Sequence, residues 1–219
     1  LNVSVLVPAG ATIDIPVSCV ERGRWNGSSE FGRGSTLASR RVRREKTIGV
    51  SASVRSHHGK SSDQSAVWGA IDHELRRLKT ENATGSFIGA DAFIDRNSGI
   101  AASVQELVAK GPLPGQCGVV IAHGRRIVSA DVFANADALA CQWEAIVRSA
   151  LLDAPEAIAG KPSASKALDF LHRFAAGTAE LAPGAGLGRE HHITARGLVG
   201  QALVWDDVLV HASAFAIAA

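Results

Sequence analysis

Apolar residues recur every three or four positions in four stretches of the chain, and this spacing predicts four helices. The clearest begins after Ser62 or Asp63, either of which is a good helix N-cap, and continues to about Lys79. The other three cover residues 100–110, 136–154 and 164–176, the last with Ser163 as its N-cap.

Shorter runs rich in β-branched residues predict strands near the N-terminus. Residues 1–7 and 11–20 flank the turn Pro8-Ala9-Gly10 and predict a β-hairpin. Residues 47–54 alternate between apolar and polar side chains, which predicts a further short strand.

Strands are predicted again in the second half of the chain. Residues 116–122 and 126–133 flank His123-Gly124-Arg125 and form a strong hairpin signal. The last forty residues predict a meander of strands at 180–182, 190–196, 200–205 and 208–216. Because the strands enclose the helices and do not alternate with them, we predict one α+β domain over residues 1–219, a mainly antiparallel sheet with about four helices packed on it.

Composition narrows the class of protein. Hydrophobic residues make up 46% of the 219 positions, which is ordinary for a globular protein. No apolar run approaches the length of a membrane span and no signal peptide is visible, so we expect no membrane partner. Three widely spaced cysteines favour a reducing compartment and hence the cytoplasm; we expect Cys117 and Cys141 to pack in the core. No Cys-x-x-Cys occurs and no metal site is predicted; the sequence leaves the cofactor unknown.

Positive charge is concentrated between residues 33 and 60. One interpretation is a solvated, mobile loop, and another is an electrostatic collar for a phosphate-bearing ligand. A nucleic-acid-binding module built on Arg40–Lys46 is a third, but no aromatic residues are interleaved for base stacking, so we do not expect a nucleic-acid partner. Eight basic residues here face the single acid Glu45: Arg33, Arg40, Arg41, Arg43, Arg44, Lys46, Arg55 and Lys60.

One stretch concentrates reactive side chains, and it reads IPVSCVERGRW from Ile15 to Trp25. Alternation places Cys19 and Glu21 on one face of an extended chain, and Gly23 allows a turn that brings Arg24 back toward Glu21. Anion capture by arginine, acid–base work by Glu21 and nucleophilic work by Cys19 are all open, as is a structural Glu–Arg pair beside a core cysteine. We expect Cys19 to be a buried packing residue, because it lies between Val17 and Val20 in a predicted strand. A nucleophilic thiolate is less favoured, since no nearby histidine offers a base and Glu21 would raise the pKa of the thiol.

This stretch also carries a resemblance. Together with LNVSVLVPAG, SSDQSAVWGAI and GQCGVVIAHGRRIVSADVFA, it resembles the ARG-and-rhodanese-phosphatase-superfamily-associated protein domain over residues 1–215. The family's name records ADP-ribosylglycohydrolases and rhodanese-like phosphatases as neighbours. The resemblance therefore implies a context of ADP-ribose or nucleotide metabolism, without an established reaction. The family has a further segment before the position of Leu1, which we expect this chain to lack.

The predicted site combines this stretch with the start of the helix after Asp63. Asp63 and Gln64 lie where backbone N–H groups can bind an anion, although Asp63 also suits simple capping. Arg24 would hold a phosphate, and Trp25 or Trp68 would stack on a ring.

Whether the protein is an enzyme stays open. Glu21 and Asp63 are the candidate acid–base groups if chemistry occurs, and Asp131, in a predicted buried strand, is a weaker candidate. The predicted function is binding of a phosphorylated small molecule. The alternatives are the nucleic-acid-binding module and a non-catalytic structural or interaction domain.

Overall fold

The computed structural model describes residues 4–26, 36–156 and 159–217. This part of the chain forms an α+β fold with one antiparallel sheet, as predicted, but it has six α-helices where about four were expected. The helices are α1 Arg40–Arg55, α2 Gln64–Leu78, α3 Gly89–Arg96, α4 Ser98–Lys110, α5 Ala136–Leu151 and α6 Ala164–Ala175. The strands are β1 Gly118–His123, β2 Arg126–Phe133, β3 Thr178–Pro183, β4 Arg189–Ala195, β5 Leu198–Trp205 and β6 Val208–Ala216.

The sheet has the strand order β1-β2-β6-β5-β4-β3, and every neighbouring pair is antiparallel. The hairpin β1–β2 and the meander β3 to β6 both match the sequence prediction. Asp206 and Asp207 form the last turn with positive φ angles of 52° and 58°, the conformation that suits a two-residue hairpin loop. Strand β6 joins the two parts, because it pairs with β2 on one side and β5 on the other.

Two hydrophobic clusters stabilise the fold. The first is helical and includes Val67, Ile71 and Leu75 of α2 together with Ile94 of α3. In the second, α6 inserts Phe170 and Phe174 against the sheet. Helix α1 lies between them and contacts α2 as well as β3, β4 and β5. No helix within the described residues is both long enough and apolar enough to cross a membrane.

Helix α1 replaces the mobile loop and the short strand that the sequence predicts for residues 40–55. Ser39 caps the helix by accepting a hydrogen bond from the backbone N–H of Val42. Four of the six residues on the buried face are polar or charged, so the helical period is hidden from a hydrophobicity pattern. This face contains Val42, Arg43, Lys46, Thr47, Val50 and Ser51.

The predicted N-terminal hairpin is also wrong. Within residues 4–20 there is no ladder, only the isolated bridge between Leu6 and Leu187. Pro8 and Pro16 cannot donate a ladder hydrogen bond, and Val17 is 77% exposed. The β-branched residues of this segment therefore reflect an extended path over the surface and not a strand.

The cysteines differ from expectation as well. Cys19, Cys117 and Cys141 are all exposed and all free, so the packing role predicted for each is wrong. Cys19 lies outside the sheet, in the extended segment. The predicted core position depended on a strand that does not form.

Three arginines of α1 form ion pairs with carboxylates in the interior. Arg40 Nε lies 2.6 Å from Asp153 Oδ2, and Arg41 pairs with both Asp153 and Glu74. Asp153 and Glu74 are almost completely buried. Arg33, the remaining predicted cation before α1, lies outside the described residues.

Arg43 forms the most deeply buried pair, a two-pronged contact with Asp131 of β2 at 3.1 and 2.5 Å. His211 Nε2 lies 3.4 Å from Asp131 Oδ1. Burial raises the pKa of Asp131, but Arg43 and His211 outweigh it and lower the pKa to about 2. The Asp131 carboxylate is therefore paired with Arg43, as a buried charge must be unless it serves another role.

We expect this pair to make the protein sensitive to acid. Because the folded pKa of Asp131 is about 2 and the ordinary value is 3.8, its contribution is complete above pH 3.8 and is lost as the pH falls toward 2. The loss should be roughly 2 kcal/mol of unfolding free energy. The unfolding free energy, measured with urea at several pH values in this range, should change less steeply with pH for Asp131→Asn than for the wild type. Asp207→Asn, in an exposed turn, serves as the control, and an unchanged slope in Asp131→Asn would contradict the assignment.

Candidate functional site

The second half of the Ile15–Trp25 stretch docks on the loop after α2. The predicted Glu21–Arg24 pair forms, with Arg24 Nη1 3.0 Å from Glu21 Oε2. Thr84 donates a hydrogen bond to Glu21 Oε1 at 2.5 Å, and the N–H of Gly23 donates to the Thr84 carbonyl at 2.7 Å. A Cβ on Gly23 would lie 2.9 Å from the Thr84 Cα, so this close approach requires glycine.

Glu21 is held as a charged anchor. The Thr84 hydrogen bond is the main cause of its lowered pKa; partial burial opposes the shift and Arg24 adds to it. The pair was expected beside the first turn of α2, but its contacts are with the loop that follows that helix. Glu21 and Arg24 therefore fix the path of the chain.

The first half of the stretch is fixed by Gln64, the first residue of α2. Its side-chain amide accepts a hydrogen bond from the backbone N–H of Cys19 and donates one to the Cys19 carbonyl, both at 2.9 Å. These two bonds occupy backbone groups that a neighbouring strand would otherwise use. The two hydrogen bonds also fix the backbone next to Ser18, the residue that precedes Cys19.

Ser18 lies at the centre of a short chain of hydrogen bonds. Lys46 Nζ donates to Ser18 Oγ at 2.8 Å, and Ser18 Oγ lies 3.0 Å from Ser62 Oγ. Lys46 is 4% exposed and Ser18 is 7% exposed, whereas Ser62 is only partly buried. The chain therefore extends from a buried amine to a hydroxyl near the surface.

This chain of hydrogen bonds borders a cavity of about 340 Å³. The extended segment forms one wall, α1 the floor and the start of α2 another wall. The lining residues are Pro16, Val17, Ser18, Lys46, Val50, Lys60, Ser61, Ser62, Gln64 and Glu190.

The cavity carries one uncompensated positive charge when Lys46 is protonated. Lys60 pairs with Glu190 at 2.9 Å, and Glu190 also lies 3.2 Å from His192 Nε2. No carboxylate among residues 4–26, 36–156 and 159–217 forms an ion pair with Lys46. Burial lowers the pKa of Lys46, because the charged amine loses water without gaining an opposite charge.

Comparison with protein families matches residues 1–215 to the ARG and Rhodanese-Phosphatase-superfamily-associated Protein domain. The chain belongs to this family. No curated protein and no solved structure gave a significant match.

The other site residues predicted from the sequence, Asp63, Trp25 and Trp68, do not line the Lys46 cavity. Asp63 is the predicted N-cap of α2 and accepts hydrogen bonds from the N–H groups of Ser65 and Ala66, at 2.8 and 3.4 Å. Hydrogen bonding, first of all from the Ser65 side chain, lowers the pKa of Asp63. Its carboxylate thus occupies backbone donors that were expected to face an anion.

The two tryptophans are separated. Trp25 is 89% exposed, whereas Trp68 packs against the helical core cluster. Only Gln64, of the six predicted site residues, lines the cavity that contains Lys46. Whether Glu21, Arg24, Trp25, Asp63 and Trp68 take part in function stays a prediction.

Sequence reasoning did not bring Lys46, Ser18 and Ser62 of this family member together. Ser18 lies 28 residues before Lys46 and 44 residues before Ser62, so no local spacing joins them. A signal existed in α1, where Lys46 lies four residues from Val42 and from Val50, on the face that is buried. A lysine at a core position of a helix is rarely buried without a role.

We expect Lys46 to cost stability. Lys46→Met should raise the unfolding free energy by on the order of 1 kcal/mol near neutral pH, because an unpaired buried charge is replaced by an apolar chain of similar length. Chemical unfolding measures the difference. Lys110→Met on α4, where Lys110 is exposed and pairs with Glu106, is the matched control and should show no clear change.

The same variant should alter the pH dependence. The folded pKa of Lys46 lies below the ordinary 10.5, so between the two values the unfolded chain binds more protons. The unfolding free energy of the wild type should therefore rise as the pH approaches 10.5, because the unfavourable charge of Lys46 is lost in the folded state. Lys46→Met should not show this rise. Parallel stability curves for the two proteins would contradict the assignment.

Proposed function

We propose that the protein binds a small molecule through a phosphate or a similar anionic group in the cavity beside Lys46. The observation that carries the proposal is the burial of Lys46 without a carboxylate partner among the described residues. Buried charges in proteins are ordinarily paired, because removal from water costs several kcal/mol per ion. An anion in the cavity supplies the missing opposite charge.

Three arginines on the inward side of α1 differ from Lys46. Arg40, Arg41 and Arg43 each pair with a buried carboxylate. Within the described part of the chain, the fold thus supplies acids for these inward-facing arginines but not for the buried lysine one turn further on. This missing partner supports recruitment of the negative charge from a ligand.

Size and polarity of the cavity fit a small ligand. Its volume of about 340 Å³ lies in the range of small-molecule sites. Ser18 and Ser62 offer hydroxyl groups next to the amine, and Pro16, Val17 and Val50 supply an apolar wall. The family's name records ADP-ribosylglycohydrolases as neighbours. ADP-ribose is therefore a suitable first compound to test beside inorganic phosphate.

A nucleic-acid partner receives less support. Arg40, Arg41 and Arg43 point into the interior, where their charge is offset by Asp153, Glu74 and Asp131. Affinity for nucleic acid depends on cations that reach the phosphate backbone. The basic cluster seen in the sequence is therefore mainly a set of internal ion pairs.

Isothermal titration calorimetry tests the proposal with inorganic phosphate and ADP-ribose. Lys46→Gln should weaken binding by roughly 10- to 100-fold, the scale of one charge-assisted hydrogen bond. Lys110→Gln removes an exposed lysine of the same type and should leave binding unchanged. Binding of both anions with equal affinity to wild type and Lys46→Gln would show that the cavity is not the site.

A further inference from the structure

Besides its charge, the Lys46 cavity contains an ordered path for a proton. Lys46 Nζ, Ser18 Oγ and Ser62 Oγ follow one another at 2.8 and 3.0 Å. Each hydroxyl can donate to one neighbour while accepting from the other, so the hydrogen bonds can reverse direction together. With a neutral amine, the Ser62 hydroxyl donates to Ser18 and the Ser18 hydroxyl donates to Lys46.

A serine nucleophile must be accessible to the ligand, and the base behind it must be shielded from water. The exposure of the three groups follows this order. The amine and the middle hydroxyl are buried, and Ser62, at the cavity wall, is only partly buried. Ser62 directly precedes Asp63, which caps α2, and Gln64 holds the segment that carries Ser18. The relay is thus supported from both ends by rigid elements, which catalytic geometry demands.

We propose that Ser62 is a nucleophile toward ester ligands in this cavity, with Ser18 relaying its proton to the neutral amine of Lys46. The inference rests on the proposed function only in assigning the ligand to the same cavity. Lysine serves as the base for serine in known variants of the Ser–His–Asp arrangement. Burial of Lys46 favours the neutral amine that this role needs.

The reaction balances with water as its only co-reactant. Ser62 Oγ forms a bond to the carbonyl carbon of the ester, and its proton passes through Ser18 to Lys46. The bond between the carbonyl carbon and the alcohol oxygen then breaks, and the alcohol leaves with the proton from Lys46. Water repeats the sequence on the acyl-serine and releases a carboxylic acid, which ionises to a carboxylate.

The two roles of Lys46 belong to different stages. As an amine it takes the proton from Ser62, and as an ammonium it lies beside the carboxylate that hydrolysis releases. An added anion such as phosphate should stabilise the ammonium form and so oppose nucleophilic attack. Anion binding and serine reactivity are therefore competing states of one site.

A fluorophosphonate probe tests the nucleophile directly, because Ser62 Oγ would bond to phosphorus and fluoride would leave. Mass spectrometry of the intact and digested protein should place one adduct on Ser62. Ser62→Ala should abolish the adduct, and Ser18→Ala and Lys46→Met should each slow labelling at least 100-fold. Ser103→Ala and Lys110→Met, on α4, are matched controls and should label like the wild type.

The pH profile of labelling distinguishes the relay from simple exposure of Ser62. The rate should rise with pH as Lys46 loses its proton, and this rise should be absent in Lys46→Met. The other charged groups of the cavity are Lys60 and Glu190, which pair with each other, with His192 behind Glu190. Asp63 lies nearby as the helix cap. Inorganic phosphate should slow labelling of the wild type.

Several results would overturn the inference: no adduct up to alkaline pH, an adduct on another serine, or Ser62 labelling that is unaffected by Lys46→Met. Folding of each variant is checked by its unfolding transition. The proposed function is judged separately, by titrating the unlabelled wild type and Lys46→Gln with inorganic phosphate. Phosphate binding without labelling would end the nucleophile inference alone, and labelling without phosphate binding would end the anion proposal alone.

Discussion

The fold depends on how α1 buries a face that is mostly polar. This helix lies between the helical cluster and the sheet, so its inward side chains are largely shielded from bulk water. Arginine can occupy such positions only where acids meet it, and Glu74, Asp131 and Asp153 do so from α2, β2 and the turn after α5. Each of those acids lies on a different element. The ion pairs therefore fix the relative positions of helix and sheet more specifically than apolar packing alone would.

Lys46 is part of the same face and does not follow the same rule. Its neighbours are hydroxyl groups instead of carboxylates, which satisfy its hydrogen bonding without neutralising its charge. Structures retain such an imbalance mainly at functional sites, where a perturbed group is useful. The contrast between the three arginines and this lysine separates the part of α1 that is held by ion pairs from the part that borders the cavity.

Local features of the sequence predicted local structure well. Helix α2 with its Asp63 cap, the β1–β2 hairpin and the C-terminal meander all follow from short-range patterns. Helix α1 was missed because Arg43, Lys46 and Thr47 interrupt its apolar stripe, and these positions read as loop unless their buried partners are known. Similarly, Cys19 was placed in a strand core, but Gln64 takes the backbone groups that a strand would need. The site itself was only partly predictable, since the segment with Ser18, the helix with Lys46 and the turn with Ser62 meet only in three dimensions.

The central position of β6 has a consequence for how the chain folds. Strand β2 pairs on its second edge with β6, and α5, α6 and β3 to β5 all lie between them in the sequence. The other four pairings of the described strands join neighbours in the chain, so the β2–β6 pairing is the long-range closure of the sheet, the kind of contact that slows folding. Because α1 packs on β3, β4 and β5 and the cavity includes Glu190 of β4, a nascent chain cannot complete the site early. Until β6 pairs, one edge of β2 and one edge of β5 present unpaired backbone groups to other chains, which exposes this stage of folding to aggregation.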